Sequence, residues 1–132
     1  MNLIESIWIY QINFVYLYQR LRNMKYQKIS NKENANQLLG GSSLKDRLVG
    51  FNYKQLVAAF GEPTFNSPSG DGKVQKEWVF QRKSDGAVFT IYDWKTYDVN
   101  QTENFLQNWN VGGHSYAGEF VSDLIVQLKK KN

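Results

Sequence analysis

The chain has 132 residues, with 16 Lys/Arg against 12 Asp/Glu and no cysteine. This length suits one domain with a single hydrophobic core. The lack of cysteine excludes disulfides, thiol nucleophiles and cysteine-ligated metal sites. Aromatic residues make up 15% of the sequence, which suits a small core or a stacking site.

The net charge of +4 is unevenly distributed. Residues 1–49 carry seven basic and three acidic side chains, residues 50–128 carry six and nine, and Lys129, Lys130 and Lys131 follow. A basic tail attracts polyanions, but lysines at the end of a helix also complement the helix dipole. Because the sequence has no contiguous basic stripe of the kind found in nucleic-acid-binding proteins, we interpret the three lysines as a solvated helix end.

Residues 3–18 read LIESIWIYQINFVYLY, an apolar run with three polar interruptions. The run is shorter than the roughly 20 apolar residues of a membrane span, and it lacks the features of a signal peptide. Its pattern fits a strand or a helix, and the good helix formers that follow favour a helical arm. The arm would pack on the domain, lie on a membrane surface or drive oligomerisation, unless the native chain starts at Met24. We therefore expect an arm and linker over residues 1–39 and one α+β domain over residues 40–132.

The clearest structural signal is a β-hairpin over residues 74–95. Aromatic and β-branched residues alternate on both sides of a turn at residues 83–86, whose Asp-Gly step suits a positive φ. The alternation predicts three cross-strand pairs: Phe80 with Phe89, Trp78 with Ile91, and Lys76 with Asp93.

Helices are predicted on both sides of the hairpin in the sequence. Asn52 and Gln55 form a capping-box pattern for a helix over residues 52–60. A second helix, over residues 116–130, has an apolar stripe at a spacing of 3.6 residues. The sequence therefore predicts an α+β fold, a small antiparallel sheet centred on the hairpin with these helices on one face.

The remaining segments give weaker signals. Residues 25–43 read as a linker or a short helix that ends at Gly40-Gly41, and residues 43–49 lead into the helix at residue 52. A short helical turn is expected at residues 102–106. Residues 109–114 read as a short strand that breaks into a glycine turn.

No catalytic or metal-binding motif stands out. The sequence has no G-x-S-x-G elbow, no Walker A loop, and too few clustered ligands for a metal site. His114 is the sole histidine and is either a phosphate or base contact or a turn residue. We expect no catalytic residue, no metal and no cofactor.

A ligand or partner site is expected at the far end of the hairpin and in the neighbouring segment at residues 109–114. Aromatic rings beside basic groups and glycine amides suit a nucleotide, although core packing gives a similar pattern. The candidate residues are Arg47, Asp71, Lys73, Tyr92, Trp94, Lys95, Trp109, Gly112, Gly113 and His114.

Several segments, taken in order, resemble one family of small proteins. They are GSSL at residues 41–44, FGEP at 60–63, GKV at 72–74, EW at 77–78, DG at 85–86, TIYDWK at 90–95 and WNVGGH at 109–114. This pattern, which spans about residues 40–128, is similar to proteins that are common in bacteriophages and some large DNA viruses. The resemblance implies a viral origin and the cytoplasm of an infected bacterial host, and it implies no particular activity.

The leading functional hypothesis is a non-enzymatic phage accessory protein that counters host defence. It would bind a host defence protein or sequester a nucleotide second messenger, with self-association as a further expectation and no membrane partner. One alternative is a nucleic-acid-binding accessory factor that uses the basic flanks. The other is a small phosphodiesterase-like enzyme that uses His114.

Overall fold

The structure is a computed structural model that describes residues 25–131 and Gln11. Residues 25–131 contain five strands and four helices. In chain order these are β1 (Tyr26–Lys28), α1 (Lys32–Leu39), β2 (Ser43–Val49), α2 (Tyr53–Phe60), β3 (Glu77–Arg82), β4 (Val88–Tyr92), α3 (Val99–Asn104), β5 (Asn108–Gly113) and α4 (Gly118–Lys131). Of the helical arm expected over residues 3–18 only Gln11 is described, and the alternative start at Met24 lies outside the described residues.

The five strands form one antiparallel sheet in the order β1-β3-β4-β5-β2. The predicted α+β fold is confirmed, and the hairpin strands β3 and β4 lie inside the sheet. Two predicted pairs, Phe80 with Phe89 and Trp78 with Ile91, belong to the observed register. The turn ends at Gly86, which has a φ of 77°.

The third predicted pair, a charge pair between Lys76 and Asp93, is wrong. The Lys76 ammonium lies 3.1 Å from a carboxylate oxygen of Glu103, and its side chain is 7% exposed. Asp93 accepts a hydrogen bond from the backbone N–H of Lys76 instead. The prediction fails because the β3–β4 ladder begins at Glu77, so Lys76 is no longer held in the strand register.

One face of the sheet, here termed the core face, carries the aromatic core. The rings of Trp78 and Trp109 meet edge to face, with 5.6 Å between centroids. Phe89 stacks on Phe120 of α4 at 4.6 Å. The helices α2 and α4 both pack on this face, as the sequence predicts.

The opposite face, here termed the polar face, is covered by a helix over only part of its area. Cross-strand partners share a face, so Val79, Thr90 and Gly112 all lie on it. Next to the hairpin turn, Ala35 of α1 packs against Val79 and Val88. Helices therefore lie on both faces, whereas the sequence predicts helices on one.

Several segments form strands that the sequence does not predict. Residues 43–49 are the edge strand β2 rather than a lead into a helix, and β5 continues through both glycines instead of breaking into a turn. The strand β1 comes from the predicted linker and completes the sheet, whereas α1 confirms the alternative of a short helix that ends at Gly40-Gly41. The helix α3 begins at Val99, earlier than the turn expected at residues 102–106. In β2 only Leu48 is buried, so this strand lacks the apolar alternation on which the prediction depends.

Candidate ligand-binding surface

A buried carboxylate organises the loop that follows β4. Asp93 is fully buried, and one of its oxygens accepts hydrogen bonds from the backbone N–H groups of Gln75 and Lys76 at 2.8 and 3.0 Å. The other oxygen accepts from the hydroxyls of Thr96 and Thr102. These bonds tie the segment before β3, the loop after β4 and the helix α3 to one side chain.

The same loop contains two residues in left-handed backbone conformations. Lys95 and Tyr97 both have a φ of 55°, a region that costs roughly 1–3 kcal/mol for residues other than glycine. The hydrogen bonds of Asp93 hold the loop in this conformation. Two aromatic side chains of this loop face solvent, with Trp94 48% exposed and Tyr97 59% exposed.

Two lysines and a tyrosine surround Trp94. The ammonium groups of Lys73 and Lys95 lie 5.7 and 5.9 Å from the centroid of the Trp94 ring, within cation–π range. Tyr92 meets the ring edge to face at 6.3 Å. The Lys95 N–H donates to the Lys73 carbonyl oxygen at 2.8 Å, which joins the two loops. These four residues, with Asp71, are here termed the Trp94 surface.

Asp71 braces the loop that carries Lys73. Its carboxylate accepts hydrogen bonds from the Lys73 backbone N–H at 3.1 Å and from the Ser69 hydroxyl at 2.8 Å. These bonds, the backbone bond first, lower the pKa of Asp71 below its usual value. Asp71 therefore stays ionised near neutral pH and fixes the position of Lys73.

A row of polar side chains crosses the polar face beside the Trp94 surface. Cross-strand pairing places Glu77 next to Tyr92, Tyr92 next to Asn110, and Asn110 next to Arg47. The Arg47 Nη1 donates to the Asn110 Oδ1 at 2.7 Å, and the Asn110 side chain is also hydrogen-bonded to the Tyr92 hydroxyl. These four residues, on four adjacent strands, are here termed the polar row.

The polar row has a negative end and a positive end. At the negative end, burial raises the pKa of Glu77, opposed by the hydrogen bond from the Thr90 hydroxyl and assisted by the charge of Asp93. At the positive end, the Arg47 guanidinium is exposed. Within residues 25–131 neither Glu77 nor Arg47 forms an ion pair. Burial also raises the pKa of Tyr92, so a neutral phenol lies between the two charges.

Gly112 allows Tyr92 to lie close to the sheet. A Cβ atom at this position would lie 3.0 Å from the Thr90 Cγ2 and 3.3 Å from the Tyr92 Cε1. Both distances are shorter than ordinary van der Waals contact. Gly112, the first glycine of the Gly112-Gly113 pair, therefore leaves room for Tyr92 on the polar face.

Two candidate residues, Trp109 and Gly113, lie on the core face instead. Trp109 is fully buried, and its Nε1–H donates to the Phe51 carbonyl oxygen at 2.9 Å. Gly113 is also buried, and a Cβ atom there would lie 2.8 Å from the Val88 carbonyl oxygen. Neither residue is placed to contact a ligand on the polar face.

His114 closes the end of α1. Its exposed ring donates a hydrogen bond from Nε2 to the Leu38 carbonyl oxygen at 2.8 Å. Carbonyl groups in the last turn of a helix have no partner within the helix, so this contact has a structural purpose.

The structure brings together most of the candidate residues. Seven of them belong to the Trp94 surface or to the polar row, or, like Gly112, lie beneath that row. They are Arg47, Asp71, Lys73, Tyr92, Trp94, Lys95 and Gly112. Sequence reasoning missed Asn110 and Glu77 as members of this group. The predicted hairpin register already implies that Glu77 lies beside Tyr92, but Asn110 joins the row only when β5 is a full strand.

No family model matches this sequence, and no curated protein or solved structure matches it either. Within residues 25–131, no group of three or more His, Cys, Asp and Glu side chains is placed to hold a metal ion. In the same range, no helix is long and apolar enough to cross a bilayer. The described side chains offer aromatic contact, hydrogen bonds and charge, which together suit the binding of a ligand or partner.

Proposed function

We propose that this protein is a non-enzymatic bacteriophage accessory protein that counters host defence by sequestering a nucleotide signal at the Trp94 surface. The viral context, in the cytoplasm of an infected bacterium, is part of the proposal and rests on the resemblance stated for the segments between Gly41 and His114. The binding of a nucleotide rests on the geometry around Trp94.

The observation that carries the proposal is an exposed indole ring flanked by two ammonium groups. Stacking of a nucleobase on an aromatic side chain contributes roughly 1–3 kcal/mol. The Lys73 ammonium lies 3.8 Å from the Asp71 carboxylate, so Lys95 leaves the rim of the ring with one excess positive charge, which attracts an anionic ligand. Trp78 and Trp109 are fully buried, so within residues 25–131 Trp94 is the tryptophan that a base can reach.

The conformation of the loop supports the same proposal. A ligand that must order a flexible loop loses part of its binding free energy. Here the Asp93 hydrogen bonds already hold Lys95 and Tyr97 in their left-handed conformations. The aromatic surface is therefore formed before a ligand arrives.

A host defence protein is the second candidate partner. Trp and Tyr are the residue types most enriched in the hot spots of protein interfaces, and both Trp94 and Tyr97 are exposed on one loop. The nucleic-acid alternative depends on the basic flanks of the sequence. Two lysines of the C-terminal flank, Lys129 and Lys130, belong to α4, which packs on the core face and not on the face that carries the polar row.

Binding of nucleotides to the full chain tests the proposal. We expect at least one member of a panel of mononucleotides, cyclic nucleotides and ADP-ribose nucleotides to raise the melting temperature and to change the intrinsic tryptophan fluorescence. A ligand at 100 times its Kd adds about 2.7 kcal/mol to the free energy of unfolding. The variant Trp94→Ala should lose this response.

The matched control is Tyr116→Ala. Tyr116 is an exposed aromatic residue, 82% accessible, that follows the opposite end of β5, so its removal should leave nucleotide binding unchanged. If no nucleotide shifts the melting temperature and Trp94→Ala instead abolishes binding to a host defence protein, the second candidate replaces the first. Binding to DNA or RNA that falls steeply with salt and does not depend on Trp94 would support the nucleic-acid alternative.

A further inference from the structure

The polar row ends in two charges that lack a partner. Neighbouring strands lie roughly 4.8 Å apart, so the three strand spacings between Glu77 and Arg47 separate their Cα atoms by about 14 Å. Neither residue reaches a charge of opposite sign within residues 25–131. Arg47 is exposed and Glu77 is half-buried. Because a charge that is partly withdrawn from water is normally paired, a ligand with both an anionic group and an N–H donor would complement the row.

Arg47 is held in position without being neutralised. One nitrogen of its guanidinium, Nη1, is bonded to Asn110, and Asn110 is only 7% exposed and is also bonded to Tyr92. The other N–H groups of the Arg47 side chain have no acceptor among the described residues. A planar guanidinium with open donors suits the oxygens of a phosphate group.

Glu77 offers the opposite chemistry. Its Oε2 accepts a hydrogen bond from the Thr90 hydroxyl at 2.6 Å, whereas its Oε1 has no partner among the described residues. Residues 25–131 contain no buried side-chain oxygen or nitrogen that lacks a hydrogen bond, so Oε1 is open to solvent. This oxygen accepts N–H groups and repels anions.

We propose that the polar row orients a nucleotide across the sheet, with the phosphate on Arg47 and an N–H group of the base on Oε1 of Glu77. The charges of the row permit only this direction, because a phosphate beside Glu77 would meet a carboxylate. Tyr92 lies between the two ends and contacts the Trp94 ring. The inference rests on the proposed function, since Trp94 supplies the stacking surface.

The test compares three kinds of probe on the full chain. The first are adenosine and guanosine 5′-monophosphates, whose bases carry N–H donors. The second is purine riboside 5′-monophosphate, whose base carries none on its pairing edge. The third are adenosine and guanosine, which lack the phosphate.

Two variants separate the ends of the row. Arg47→Gln should weaken the binding of the nucleoside monophosphates by about 10- to 100-fold and leave the nucleosides unchanged, because only the charged hydrogen bonds to phosphate are lost. Glu77→Gln should weaken adenosine or guanosine monophosphate by about 10-fold and leave purine riboside monophosphate unchanged. Arg47→Lys, which keeps the charge without the planar fork, should bind with intermediate affinity.

The outcomes distinguish the inference from the proposed function. If Trp94→Ala abolishes binding of the monophosphates while Arg47→Gln and Glu77→Gln bind as the wild type does, the orientation is wrong and the Trp94 site stands. If both variants weaken all probes equally, the row supports the fold and does not read the ligand, which also overturns the inference. If no nucleotide binds the wild-type chain, both proposals fall.

Discussion

The two faces of the sheet share the same strands but differ in chemistry. On the core face, Trp78, Phe89 and Trp109 contact other rings and are fully buried. On the polar face, Glu77 and Arg47 carry charges that the rest of residues 25–131 does not pair. Because successive residues of a strand point to opposite sides, stability and binding are carried by alternate residues. Substitutions on the core face should therefore change stability, and substitutions on the polar face should change binding.

The largest expected effect comes from the core face. Trp78 is fully buried, meets Trp109 edge to face, and donates from Nε1 to the Gly61 carbonyl oxygen at 2.9 Å. Trp78→Ala should lower the free energy of unfolding by about 3–5 kcal/mol. Trp94→Ala should change it by no more than about 0.5 kcal/mol. Equilibrium urea unfolding of both variants makes the comparison, and similar losses would contradict the division between the faces.

The second-largest effect on stability is expected at Asp93, whose hydrogen bonds connect the segment before β3 to the loop after β4. Asp93→Asn removes a charge that four hydrogen-bond donors share, and it should destabilise the protein by about 2–3 kcal/mol. Hydrogen exchange should accelerate at the amides of Gln75 and Lys76. Asp71→Asn is the control, because this carboxylate is exposed and makes its bonds within one loop. A loss in Asp71→Asn as large as that in Asp93→Asn would argue against the anchoring role.

The third effect tests the close approach of β4 and β5. Gly113→Ala would place a Cβ atom 2.8 Å from the Val88 carbonyl oxygen, so it should cost about 1–3 kcal/mol. Gly70 has no atom within 4 Å of such a Cβ. Gly70→Ala should therefore be neutral or stabilise by about 0.4–1 kcal/mol through the unfolded state. Thermal unfolding of the two variants should give shifts of opposite sign or clearly different size.

The sequence predicts the elements whose signals are local. The register of Trp78 with Ile91 follows from alternation on both sides of a turn that has a glycine at the position of positive φ. The helix α2 follows from its capping box, in which Asn52 and Gln55 bond each other's backbone as expected. Each signal lies within a few residues of the structure that it predicts.

The parts that were not predicted depend on distant contacts. Arg47 reaches Asn110, 63 residues away in sequence, only because β2 pairs with β5. An edge strand such as β2 buries one residue and so shows little hydrophobic pattern. The role of Asp93 depends on two threonines in different segments, whereas the sequence pattern predicts an opposite-charge pair with Lys76. The location of the Trp94 surface was therefore predictable, while its supporting bonds were not.

The smallest expected effect is confined to a pH window. Burial raises the pKa of Glu77 above its ordinary value of 4.5, so the folded state binds this proton more tightly than the unfolded state. The contribution of Glu77 to stability is therefore most favourable below pH 4.5 and is lost as the pH rises through the folded pKa. Glu77→Gln has no such titration. Its free energy of unfolding, measured by urea unfolding, should therefore rise relative to that of the wild type as the pH increases from 4 to 8.

Asp85 provides a control of opposite sign on the hairpin turn. Its hydrogen bonds, first those from Arg82, lower its pKa from 3.8 to about 2, so its contribution is present above pH 3.8 and is lost as the pH falls toward 2. Asp85→Asn should therefore approach the wild type in stability under acid conditions, whereas Glu77→Gln should gain stability relative to the wild type as the pH rises toward neutrality. Equal pH profiles for the two variants would mean that the polar row does not desolvate Glu77, and the case for an N–H partner at Oε1 would weaken with it.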